Sequence, residues 1–167
     1  MKPYKPTKRT LHLAAEAGDI PSIMFHLLDG ANINKRNANG YFPLGATVHY
    51  GHAQATLYLI EHGANINMRT KLNWSPLYIA AWRGHFDVAK ILLEAGANTK
   101  LRTIYDEYAQ SRKDYTALHA AAYKGDSKMA RLLLKYGASP RARAEKLTPE
   151  DVARQFGFTS VARLLKP

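Results

Sequence analysis

The chain has 167 residues, 46% of them hydrophobic, and carries 24 Lys and Arg against 13 Asp and Glu, a formal net charge of +11. That is one domain's worth of sequence, able to bury a continuous core, with no length left for a separate catalytic domain. It contains no cysteine, which removes disulfides, thiolate metal sites and cysteine nucleophiles, and no run of about 18 apolar residues that could span a membrane.

The opening Met1-Lys2-Pro3-Tyr4-Lys5-Pro6 lacks the apolar core of a secretory signal. Cytoplasmic residence is the default expectation, with delivery into a host cell as an effector left open. The first predicted helix begins at Leu11-His12-Leu13-Ala14-Ala15 and ends at Gly18, and an apolar second helix leads to Gly30-Ala31-Asn32-Ile33-Asn34. The next pair starts at Gly40-Tyr41-Phe42-Pro43-Leu44, turns at Gly51-His52 and closes on Gly63-Ala64-Asn65-Ile66-Asn67. A third runs from Ser75-Pro76-Leu77-Tyr78-Ile79-Ala80-Ala81 through Gly84-His85 to Gly96-Ala97-Asn98. A fourth runs from Thr116-Ala117-Leu118-His119-Ala120-Ala121 through Gly125-Asp126 to Gly137-Ala138. A last pair is expected at Leu147-Thr148-Pro149-Glu150-Asp151-Val152-Ala153 and Val161-Ala162-Arg163-Leu164-Leu165. Ser or Thr before Pro caps a helix whose first turn tolerates the missing N–H, Glu150 and Asp151 suit the positive end of a helix dipole, and Asn pairs such as Asn65 and Asn67 suit the turns.

These landmarks keep one beat. Gly30, Gly63 and Gly96 are spaced by 33 residues, as are Leu11, Leu44 and Leu77, whereas Gly96 to Gly137 and Leu77 to Leu118 both take 41. Eight extra residues therefore fall between Thr99 and Tyr115. A repeat of this length signals a stacked solenoid that presents a surface.

The four units resemble the ankyrin repeat family, whose pattern runs Gly-x-Thr-Pro-Leu-His-x-Ala-Ala, Gly-His, an apolar run and Gly-Ala-Asn/Asp-x-Asn. The resemblance implies an all-α ankyrin-repeat solenoid of stacked helix-turn-helix units with hairpin-like loops, four repeats and a C-terminal capping repeat. It forms a single domain over 1–167, with repeats at about 4–36, 37–69, 70–103 and 111–143, a cap at 144–167 and an insertion within about 101–112. It also implies a non-enzymatic protein–protein interaction module, an adaptor, inhibitor or effector, monomeric when unbound.

In that family the residue before the Thr-Pro-Leu step lies toward the concave face, and the two residues before the helix-ending glycine line the same groove. By that resemblance the first position holds Tyr41, Trp74 and Tyr115, the second His49, Trp82 and Tyr123, and the third Tyr50, Arg83 and Lys124. Aromatic rings beside cations are what protein-binding hot spots favour, and the basic balance points to an acidic or mixed partner surface. One or two rings, Tyr41 first, are expected to pack on neighbouring repeats. Trp74 and Trp82 are expected to anchor the partner without carrying the fold. The insertion adds Tyr105, Tyr108, Arg112 and Lys113 as partner-contact candidates, since insertions in repeat arrays fall on one, often binding, face.

Seven histidines raise the question of a metal or a general base. By the resemblance His12, His52, His85 and His119 have structural positions, and His49 with His52 lacks the i, i+4 spacing of a zinc pair. No catalytic residue, cofactor or metal is therefore expected. The alternative reading is a nucleic-acid or phosphate ligand held in a basic, aromatic-lined groove.

Overall fold

A computed structural model describes residues 10–38, 40–103 and 114–166. Among these described residues the chain folds into five helix pairs: α1 (Leu11–Ala17) with α2 (Ile20–Leu28), α3 (Pro43–Tyr50) with α4 (Ala53–Glu61), α5 (Pro76–Arg83) with α6 (Phe86–Glu94), α7 (Ala117–Tyr123) with α8 (Ser127–Lys135), and α9 (Pro149–Gln155) with α10 (Thr159–Leu165). Among the described residues the regular structure is helical, and the only β pairing is an isolated bridge between Ala144 and Leu147. None of these helices is long and apolar enough to cross a membrane.

Successive pairs stack in two layers. The first helices form the inner layer, with α1 on α3, α3 on α5, α5 on α7 and α7 on α9, while α2, α4, α6, α8 and α10 form the outer one. Paired small residues permit the close approach: Ala14, Ala15, Ala80, Ala81, Ala120 and Ala121 are fully buried. The outer helices add Leu59, Leu92, Leu133 and Leu165 at one register position, all fully buried.

Ser75 and Thr148 cap α5 and α9, accepting from the backbone N–H of Tyr78 and Asp151. Phe42 holds the equivalent place at α3 and makes no cap bond. Its ring is buried instead against Gly45, where a Cβ would stand 3.2 Å from the ring. A cap has been exchanged for core volume.

The turn inside each pair joins neighbouring repeats. Gly51 closes α3 at φ 79°, and the imidazole of His85 from the next unit lies 2.8 Å from where a Cβ would be, its Nε2–H donating to the His49 carbonyl at 3.1 Å. His52 repeats the contact one unit earlier, over Gly18 and to the Glu16 carbonyl at 2.9 Å. Gly84 has a similar φ of 75° but nothing within 4 Å, because the next unit carries Asp126 there and uses it to cap α8. Alanine at Gly84 should therefore cost only the left-handed backbone, about 1–2 kcal/mol. Gly51→Ala should cost that plus the displaced His85 contact, roughly 1 kcal/mol more, and urea unfolding of the two variants measures the difference.

Between pairs, the hairpin-like loops are closed by a recurring backbone bond: Asn37 N–H to the Tyr41 carbonyl, Thr70 N–H to Trp74 and Thr103 N–H to Tyr115, at 2.7, 3.0 and 2.9 Å. The longer third loop thus keeps the same base, and its extra length lies between Thr103 and Tyr115. Tyr105, Tyr108, Arg112 and Lys113 fall there and lie outside the described residues.

Candidate functional site

The last turns of the inner helices bring the candidate side chains into one row. On α3, His49 is half-buried and Tyr50 is exposed, their rings edge to face at 5.0 Å. On α5, Arg83 is exposed and its Nη2–H donates to His49 Nε2 at 2.9 Å, which links the second unit to the third. The bond requires an unprotonated Nε2. Burial, then the Arg83 charge, then His85 hold the His49 pKa below 6.5. The His49 proton resonances should accordingly titrate with a midpoint below 6.5, and Arg83→Gln should move that midpoint up. An unchanged midpoint in the variant would show that the guanidinium does not face the ring in solution.

On the next units, Trp82 stacks on Tyr123 of α7 with centroids 5.1 Å apart, and Lys124 Nζ stands 5.3 Å from the Trp82 centroid. Trp82, Arg83, Tyr123 and Lys124 line a cleft of about 410 Å³. A second hollow of about 200 Å³ lies one unit earlier and is lined by Glu16, Tyr41, His49 and Tyr50 among others.

Sequence register alone left two residues out. Phe156 meets Tyr123 edge to face at 4.4 Å and extends the rings to α9, and it precedes Gly157 as Lys124 precedes Gly125. Glu16 precedes Gly18 by the same two residues as His49 precedes Gly51, and it puts a carboxylate at the other end of the row.

The position before the helix-opening step requires a correction. Trp74 and Tyr115, expected on the groove, are 4% and 1% exposed, whereas Tyr41, expected to be the buried one, is half-buried. The cause is the residue four places on. Trp74 packs on Tyr78 at 5.4 Å and Tyr115 stacks on His119 at 5.1 Å. At the same offset Tyr41 finds Gly45, already covered by Phe42, and it lies instead edge-on to His49 at 6.1 Å. Trp82 is also only 7% exposed, held between Tyr78 and Tyr123. The surface that remains for a partner is made of Arg83, Lys124, Tyr50, Tyr123 and Phe156, with Trp82 as its floor.

No group of three or more His, Asp or Glu side chains among the described residues could hold a metal ion. Four histidines are engaged with backbone: His12, His52, His85 and His119 each reach a carbonyl, of Lys35, Glu16, His49 and Leu147 respectively.

Comparison with known families matches residues 11–103 to a model described as ankyrin repeats in three copies, and residues 113–145 to the ankyrin repeat. A search of curated proteins finds no match.

Proposed function

The chain belongs to the ankyrin repeat family, and from that premise we propose that it binds an acidic or mixed surface of a partner protein through the row of inner-helix ends, as an adaptor, inhibitor or effector without catalysis of its own. Ankyrin repeats are in general protein–protein interaction modules. The observation that carries the finer reading is the cleft where Arg83 and Lys124 flank the Trp82–Tyr123 stack. Arg83 is held by a neutral ring nitrogen and Lys124 stands over a π face, so both keep their charge for an incoming carboxylate. A guanidinium can grip it through two parallel bonds, the rings beneath supply apolar burial, and the rigid stack lowers the ordering cost.

The ring geometry favours a protein over a nucleic-acid strand. Single strands are gripped by open ring faces on which bases stack, and Trp82 is only 7% exposed among Tyr78, Tyr123 and Lys124.

Charge reversal tests the reading. Affinity capture from the native cell with mass spectrometry, using the wild type and Arg83→Glu/Lys124→Glu, should yield a protein partner that the double variant loses by tenfold or more. Reversing Arg131 and Arg163 on the outer helices should leave its capture intact. Equal capture by wild type and groove variant would refute the groove as the binding surface.

A further inference from the structure

The 33-residue register that places the helices also places an arginine at one position in each of four successive hairpins: Arg36, Arg69, Arg102 and Arg143, separated by 33, 33 and 41 residues. All four are exposed. The hairpin stretches 31–42 and 64–75 contain no Asp or Glu and 138–147 contains Glu145 alone, while the longer third hairpin carries Asp106, Glu107 and Asp114 beside Lys100, Arg102, Arg112 and Lys113. The two ion pairs found among the described residues, Lys90–Glu94 and Arg154–Glu150, lie on α6 and α9, away from these hairpins.

The row is held rigidly. Asn65 N–H donates to Asn34 Oδ1 at 2.8 Å and Asn98 N–H to Asn67 Oδ1 at 2.9 Å, stitching the first three hairpins together. Asn73 Nδ2 donates to the Arg102 carbonyl at 3.0 Å, and Arg102 Nη1 donates to the carbonyl of Arg143 in the fourth. Arg36 Nη1 likewise donates to a carbonyl, that of Gly40, at 3.3 Å. A carbonyl orders a guanidinium without neutralising it, and each of these arginines has further N–H groups. Helices packed about 8–10 Å apart set a similar step between successive arginines.

We propose that this hairpin edge is a second docking surface, separate from the groove, and that its occupant is an extended acidic segment of a partner protein whose carboxylates seat on Arg36, Arg69, Arg102 and Arg143. A polyproline II chain rises about 3.1 Å per residue with three residues per turn, so acids at every third position share one face about 9 Å apart and keep step with the row. Each seat is a guanidinium–carboxylate pair, the strongest kind of charge-assisted contact. A single strand of nucleic acid would share the negative charge but needs rings to stack on, and at the hairpin bases Phe42, Trp74 and Tyr115 are buried, so an oligothymidylate serves as the competing arm of the test.

The test is fluorescence anisotropy of a labelled peptide of six Glu-Gly-Ser units with the full chain, beside its Gln-Gly-Ser counterpart and an oligothymidylate of equal length. Arg36→Gln/Arg69→Gln/Arg143→Gln spares Arg102 and its structural bond. Arg131→Gln/Lys135→Gln/Arg163→Gln removes the same charge from the outer helices. Circular dichroism confirms that both variants fold. The hairpin variant should bind the Glu peptide at least tenfold more weakly, the outer-helix variant less than threefold, and Arg83→Gln/Lys124→Gln should lose less affinity than the hairpin variant, which ranks this surface above the groove for an extended acidic chain. Equal losses from the hairpin and outer-helix variants would reduce the effect to net charge and overturn the proposal. So would a Gln peptide that binds as well as the Glu peptide, an oligothymidylate that binds more tightly than either, or a loss confined to the groove variant.

Discussion

Replacing Trp74 by alanine should lower the unfolding free energy by about 3–5 kcal/mol, the range for removing a buried aromatic side chain. The ring is 4% exposed and packs on Tyr78 at 5.4 Å. Its backbone is tied from both sides, with N–H donating to Thr70 Oγ1 at 3.2 Å and the carbonyl accepting from Thr70 N–H at 3.0 Å. Those backbone bonds survive the substitution, so the loss is one of packing. Because a domain of this size is stable by only about 5–15 kcal/mol, the variant would lose about a fifth or more of its margin. The residue also sits in the third of five helix pairs, where the array depends on neighbour coupling. The urea slope should therefore fall along with the midpoint, as the two halves begin to unfold separately. Urea unfolding followed by circular dichroism, with Trp82 fluorescence as a local probe, measures both quantities. A loss under 1 kcal/mol would mean that the ring is free in solution and return it to the partner surface. The same numbers disqualify Trp74→Ala/Trp82→Ala as a clean binding probe, and Arg83 with Lys124 replaces it.

What could be read from the chain follows from what the 33-residue beat encodes. It encodes stacking, so the helical repeat was legible and the eight extra residues could be assigned to the stretch between Thr99 and Tyr115, whereas the Thr103–Tyr115 backbone bond at the base of that loop is seen only in the fold. It also encodes position along the groove, which is why His49, Tyr50, Trp82, Arg83, Tyr123 and Lys124 come together at the helix ends. The beat does not encode whether a ring at a given position faces out or folds under. That depends on the residue four places on, and Gly45 beneath Tyr41 against Tyr78 beneath Trp74 reverses the answer within adjacent units. The arginine row at 36, 69, 102 and 143 was equally present in the register. It is visible only when the hairpins are aligned for charge, and aromatic residues draw attention to the helix ends instead.

The second large effect expected is a loss of stability as the pH falls from 6.5 to 4, and it comes from His119. The side chain is fully buried, with Nδ1 accepting from the Thr116 N–H at 3.2 Å while the Thr116 hydroxyl lies 2.9 Å away, and Nε2–H donating to the Leu147 carbonyl at 3.3 Å. Thus one imidazole caps α7 and ties the fourth helix pair to the hairpin leading into the fifth. The arrangement needs the neutral ring, because Nδ1 must accept, and burial, helped by the Arg102 charge, lowers the pKa to about 4. In the unfolded chain the same histidine protonates near 6.5. Above pH 6.5 both states are neutral and the full stability is present. Between 6.5 and 4 the unfolded state alone takes up the proton, so stability drains away toward a limit of about 3 kcal/mol. The lowered pKa of His49 adds to the loss in the same direction. Asp151, whose pKa is held below 3.8 by its bonds to Thr148, contributes stability that disappears only in more acid solution. His119→Gln isolates the main component: it should be less stable at pH 7.5, having lost the Nδ1 acceptor, yet its stability should fall less steeply between pH 6.5 and 4. Parallel stability curves for wild type and variant across that interval would show that the ring is not held neutral in the fold. A shallower curve would assign the main part of the array's acid sensitivity to the imidazole that joins its last two units.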